Sequence, residues 1–180
     1  MSNHNTVENW DKKWIKMKEP MEKDCWVKIR MKTVASLIPK MTTVLDVACG
    51  TGYIEEFLHS QIDYTGMDFS EEGIRHVKGR KIFGDIRIIK MPERSYDTVL
   101  AMEIVEHVDD PGELIKRIAP WARNQVIITV PNDRMGPDKN VFHVAQYSKE
   151  SIVKLIEDSY TFKKINVYAP GGNIICQCLK

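Results

Sequence analysis

Apolar positions along this chain follow two rhythms. In the first forty residues they recur at helical spacing: Trp10 and Trp14 lie one turn apart, and Val27, Met31, Val34 and Ile38 form a stripe. Two helices are predicted there, the second bounded by Pro20 and Pro39. Beyond Pro39, short apolar runs alternate with helical ones. Strands are predicted at 44–48, 64–67, 81–89, 98–102 and 125–130, with a short helix at 53–60 and another from about residue 71. Asp110-Pro111-Gly112-Glu113 opens a helix, with Asp as cap, Pro in the first turn and Glu three residues after the cap. Ser148 starts another, with Ile152, Leu155 and Ile156 on one face. Two strand-like runs, 162–168 and 173–179, flank Pro170-Gly171-Gly172 and read as an antiparallel pair. Strands alternating with helices predict an α/β protein. Its architecture would be a three-layer α/β/α sandwich of about seven strands, mostly parallel, with an antiparallel C-terminal strand.

The 180 residues hold 26 Lys+Arg and 25 Asp+Glu, a net charge of +1, and 43% are hydrophobic. That balance excludes a disordered chain and lacks the broad positive field of a general DNA binder. The length suits one domain with a sizeable core. Charge is uneven along it. Residues 1–40 carry nine Lys/Arg against five Asp/Glu, an excess of four, which leaves −3 for the remainder. Cys25, Cys49, Cys176 and Cys178 lack zinc-site spacing and read as reduced thiols, the last two on one face of a strand. No run approaches the ~18 apolar residues of a membrane helix. The polar start, Met1 to Asn5, lacks the apolar stretch of a signal peptide. A soluble, cytoplasmic protein is expected.

The sharpest local signal is Leu45-Asp46-Val47-Ala48-Cys49-Gly50-Thr51-Gly52, joining the first strand to the first helix after it. Small residues let the backbone turn tightly and approach a ligand, and the helix start favours a negative group there. A dinucleotide loop would place a third glycine where Glu55 stands. Asp46 would repel phosphate but could help hold an ammonium. A nucleoside bearing an amino acid suits both features better than one bearing phosphates. The second strand ends in Asp68, able to accept bonds from two ribose hydroxyls, beside Phe69, able to cover a purine. Gly84-Asp85-Ile86 after the third strand offers an adenine-edge contact.

With these segments in order, residues 42–179 resemble the class I S-adenosylmethionine-dependent methyltransferases. Ala48 stands where that family more usually has glycine. The resemblance implies a Rossmann-like core at 41–180 in a single domain, with 1–40 as a helical lid whose Trp10 and Trp14 face packs over the donor pocket. It implies S-adenosyl-L-methionine as cofactor, bound by Asp46, Ala48, Gly50, Gly52, Asp68, Phe69, Asp85, Ile86 and Met102. The stretch from Glu103 to Pro111 resembles the branch that includes ubiquinone-pathway O-methyltransferases.

Residues after the fourth strand would then lie beside the donor. Glu103, Glu106 and His107 share one side if that segment is helical. His107 has a suitable ordinary pKa for a general base. His143, on the same rim, would complete a two-Glu, two-His set for a divalent metal. That set resembles the metal site of small-RNA 3′-terminal 2′-O-methyltransferases. A metal-free acceptor pocket is the alternative. Three activities stay open: methyl transfer to an oxygen of a small molecule, metal-assisted 2′-O-methylation of RNA, and donor binding without catalysis. Arg75, Lys78, Arg80, Lys81, Arg87 and Lys90 could meet RNA, although a solvated face is the preferred reading. No membrane or DNA partner is expected.

Overall fold

The computed structural model describes residues 4–132 and 140–180. Met1, Ser2 and Asn3 of the polar start therefore lie outside the described residues, as does 133–139 within the acceptor side. The chain opens with two helices, α1 (Val7–Lys23) and α2 (Cys25–Ser36), and then alternates. The later elements are β1 (Thr43–Val47), β2 (Asp63–Asp68), α3 (Glu71–Ile74), β3 (Arg80–Phe83), β4 (Tyr96–Met102), α4 (Pro111–Ile118), β5 (Ala122–Pro131), α5 (Lys149–Ser159), β6 (Lys164–Tyr168) and β7 (Asn173–Leu179). The seven strands form one sheet in the order β3-β2-β1-β4-β5-β7-β6. β1 pairs parallel with both β2 and β4, whereas β7 runs antiparallel between β5 and β6. The expected sandwich with one antiparallel strand near its C-terminus is present.

Period-two alternation divides the core between the two faces of the sheet. Leu45, Ala101, Ile128 and Ile174 pack with Leu114, Ile115 and Ile118 of α4 and Ile152 and Ile156 of α5. Their sequence neighbours Val44, Leu100, Ile127 and Ile175 pack with Met31 and Val34 of α2, and with Ile38 beyond it. Cys176 and Cys178 share one buried face as expected, and burial pushes both thiols upward. Among the described residues, no helix is long and apolar enough to cross a membrane.

Four sequence boundaries shift, each for a local reason. Pro20 lies inside α1 rather than before α2; the break comes at Asp24, whose backbone is extended. Its carboxylate accepts from Trp26 N at 2.7 Å and Val27 N at 3.4 Å, capping α2. The helix at 53–60 is a 3₁₀ helix, Tyr53–Phe57, entered from left-handed Gly52. The strand at 81–89 ends at Phe83, because Asp85 O accepts from both Ile88 N and Ile89 N and turns the chain. The helix from Glu71 lasts four residues. By contrast Asp110 accepts from Glu113 N at 2.9 Å, and Ser148 caps α5.

Asp24→Ala removes two backbone partners at an exposed cap. We expect about 1 kcal/mol of lost stability, a fall of roughly 2–4 °C in Tm, readable by thermal denaturation.

Candidate active site

Strand order reverses between β1 and β4, and a cavity of about 610 Å³ opens outside their carboxyl ends. Its floor is the loop after β1. Ala48, Gly50 and Gly52 all have left-handed backbones, with φ of 54°, 54° and 68°. An L-residue with a Cβ loses about 1 kcal/mol there, which accounts for glycine being usual where Ala48 stands. At Gly50 a side chain has no room: an added Cβ would fall 2.3 Å from the Trp14 ring. Ala48 lines the cavity, whereas Gly50 and Gly52 shape the loop behind it. Glu55, at the third-glycine position, accepts from Lys78 N at 2.8 Å and Gly79 N at 2.6 Å, tying this turn to the loop before β3.

Two buried acids meet at this loop. Asp68 accepts from Gly50 N at 2.7 Å and Ser70 N at 2.8 Å, yet burial still raises its pKa to about 6. Asp46 accepts from the Tyr64 hydroxyl at 2.8 Å through one oxygen. Its other oxygen is buried without a partner, and burial raises the group to about 8. Phe69, Ile86 and Met102 line the cavity with them. Asp85 lines it too, but its carboxylate is forked onto Arg87, with Nε 2.9 Å from both oxygens.

The opposite end of the cavity is built by the turn after β4. The turn is a single 3₁₀ stretch, Val105–His107, rather than an α-helix. Glu106 is 1% exposed, and neither carboxyl oxygen has a hydrogen-bond partner. Burial, with Glu103 nearby, pushes its pKa well up. His107 Nδ1 lies 2.9 Å from Phe142 O, and since a carbonyl only accepts, that nitrogen carries a proton. That Nε2 is 4.0 Å from Glu106 Oε1. The His143 ring is 4.6 Å from that of His107. Ligand atoms of Glu106, His107 and His143 all lie within 4.8 Å of one another.

Glu103 lines the same cavity but is not part of that cluster. Its φ is 53°, and the strain is held by several partners. Its carboxylate meets Arg30 at 3.0 Å, Thr129 Oγ1 at 2.8 Å and Asn173 Nδ2 at 3.2 Å. The two-Glu, two-His set thus becomes one Glu with two His.

Helix α1 crosses the mouth. Asp11 accepts from Ser70 Oγ at 2.5 Å, and Trp14 lies on Gly50. Trp10 stacks edge-on to His107 at 4.9 Å. Asn5 donates to His107 O at 2.8 Å and Phe142 O at 3.0 Å. Sequence reasoning missed Asn5, Lys13, Arg30 and Asn173. Arg30 carried a signal, since it falls three after Val27 and four before Val34, on the buried stripe. The basic run is largely neutralised, as Arg75, Lys78, Arg80 and Arg87 pair with Glu72, Glu56, Asp63 and Asp85.

Residues 21–156 match the family described as a methyltransferase domain. The chain belongs to that family. Its fold is that of solved SAM-dependent methyltransferases. The ubiquinone biosynthesis O-methyltransferase of Coxiella burnetii is 35% identical over 103 residues, covering 51% of this chain and 44% of that protein. The chain thus spans about half the length of the curated relatives it matches. Among solved structures, a SAM-dependent methyltransferase from Thermotoga maritima superposes with a TM-score of 0.80 at 15% identity, covering 97% of this chain and all of that one. The Burkholderia thailandensis 1,6-didemethyltoxoflavin-N1-methyltransferase, solved with S-adenosylhomocysteine, gives 0.73 at 14%, covering 97% and 86%.

The Asp46 carboxyl sets a pH test for this methyltransferase. Its folded pKa of about 8 lies above the ordinary value of 3.8, so the folded state holds a proton that the unfolded chain has lost. Stability therefore falls as pH rises through that window. Asp46→Asn should remove about one proton of this dependence between roughly pH 6 and 8, about 1.4 kcal/mol per unit. Denaturant titrations of both proteins across that range measure it; equal slopes would contradict the assignment.

Proposed function

We propose that this enzyme transfers the methyl group of S-adenosylmethionine to an oxygen nucleophile of a small molecule. The observation that carries the reading is Glu106: a carboxyl buried in the donor cavity, both oxygens unpartnered, beside Nε2 of His107. An unpartnered buried acid calls for a hydrogen-bond donor from a ligand, and a hydroxyl supplies one. The O-methyltransferase relatives support the choice of oxygen.

The residues present fit the donor. The unpartnered Asp46 oxygen suits its ammonium, and Arg30, whose Nε is buried and unpartnered, suits its carboxylate. Asp68 would accept from the ribose hydroxyls on the lone pairs that its two backbone bonds leave open, with Phe69, Asp85 and Ile86 around the adenine. Gly50 and Gly52 keep the loop low enough for close approach, and Ala48 and Met102 line the wall. When bound, the donor supplies an electrophilic methyl carried on a sulfonium.

His107 acts as the general base at Nε2, oriented by its Nδ1 bond to Phe142 O. Glu106 and His143 position the hydroxyl, and Glu103 positions α2 through Arg30. Helices α1 and α2, in 1–40, serve as the lid of a single-domain enzyme, excluding water from the transfer. A second reading has one specific observation behind it. Glu106, His107 and His143 could hold a divalent cation, which would acidify a hydroxyl bound to it. The neutralised basic run gives an RNA acceptor no comparable support.

Four measurements test this. Asp68→Ala is expected to weaken donor binding at least about tenfold by calorimetry, the loss of roughly one charge-assisted bond. His107→Ala should lower kcat about 100-fold with donor affinity kept. In a screen with labelled donor, the label should reach small hydroxyl acceptors; label only on amines would sink the oxygen reading, and label only on short RNAs the small-molecule reading. Full activity after chelation would remove the metal.

A further inference from the structure

Charges at the acceptor end of the cavity do not pair off evenly. Arg30 pairs with Glu103 through one guanidinium nitrogen, and Thr129 and Asn173 hold the same carboxylate. Lys13, half-buried on α1, lines the same cavity, and no described carboxylate forms an ion pair with it. Its Nζ lies instead over two ring faces, 4.1 Å from the centre of Trp10 and 4.5 Å from that of Phe142. Ring faces attract a cation but replace only part of the water it gives up.

The groups around it come from several elements. Glu103 and Glu106 follow β4, Arg30 comes from α2, and His107 and His143 sit on the rim. Burial lowers the Lys13 pKa and raises that of Glu106. Arg30 pairs with Glu103, whereas Lys13 Nζ meets ring faces instead of a carboxylate.

We propose that Lys13 is a further catalytic residue, whose ammonium holds the acceptor oxygen as an oxyanion once α1 has closed over it. The proposal rests on the oxygen-acceptor reading above. The acceptor O–H bond breaks, its proton passes to His107 Nε2, and the electron pair stays on oxygen beside Lys13. An opposite charge at close range lowers an acidity by about 1–3 units. That brings a hydroxyl with a pKa of ~10, the value of tyrosine, within reach of imidazole. A simple alcohol, near the ~15.7 of water, stays out of reach. Selection of acidic hydroxyls thus follows from one side chain. Because Lys13 shares its helix with Trp10 and Trp14, the helix that covers the cavity also carries the charge.

The test compares wild type with Lys13→Met and Lys13→Arg. The first readout is methyl transfer against pH. Lys13→Met should lose about 10–100-fold in kcat near neutrality, and recover as rising pH ionises the acceptor unaided. Lys13→Arg should keep most of the rate. Calorimetric affinity for S-adenosylhomocysteine should change less than about twofold in both. The second readout needs no turnover. 4-Nitrophenol, which absorbs visibly as its anion, is titrated in the S-adenosylhomocysteine complex. Wild type should lower its apparent pKa by about one unit or more, and Lys13→Met should abolish that shift. A pH-independent loss, an equal loss of S-adenosylhomocysteine affinity, or the same 4-nitrophenol titration in both proteins overturns the role of Lys13. Transfer only to nitrogen acceptors, with the 4-nitrophenol shift intact, fails the oxygen reading while leaving the anion site of Lys13 supported.

Discussion

Asp68 holds four parts of the molecule in register. One oxygen takes the Gly50 amide of the loop after β1, and the other takes the Ser70 amide at the start of α3. The Ser70 hydroxyl in turn meets Asp11 of α1. A single carboxylate thus links two neighbouring strand ends to the helix that covers them. Its burial is costly, as its raised pKa shows, and the two backbone bonds offset part of that cost. Of the left-handed loop residues, Gly50 has its amide held by this acid, while the Gly52 amide closes the turn onto Cys49 O.

A second arrangement governs the rim, and it concerns unequal partnering of like groups. Two acids stand three residues apart after β4 and receive opposite treatment. Glu103 is saturated with partners, including a cation from α2 and an amide from β7. Glu106 has none for its carboxyl oxygens. One carboxyl is thus tied into the fold, and the other is buried with its oxygens unpartnered.

Much of the fold was legible in the sequence, since alternating runs fixed strand existence and β7 matched its reading residue for residue. What failed was length and backbone detail. Pro20 sits within a helix because Asp24 offers the stronger break, with a side chain that satisfies two amides of the next helix. The floor of the cavity was readable because one loop and two strand ends carry it. The acceptor side was not, because residues distant in sequence build it. Glu103, Glu106 and His107 could be placed near the donor by order alone, but spacing could not show that Arg30 captures the first of them. Asn5 left no trace at all, being one polar residue in a polar segment.

Asn5 and Asn173 have a consequence for how the molecule assembles. The first reaches His107 across 102 residues, and the second reaches Glu103 across 70. Contacts of such separation close large loops, and their entropic cost makes them late events in folding. Helices α4 and α5 can form from local signals well before the acceptor rim exists. A partly folded chain would carry the glycine loop and its acids without the walls that select an acceptor. Selectivity, on this view, is acquired after the donor-side scaffold, in the steps that bring Asn5 to the rim and Asn173 to Glu103.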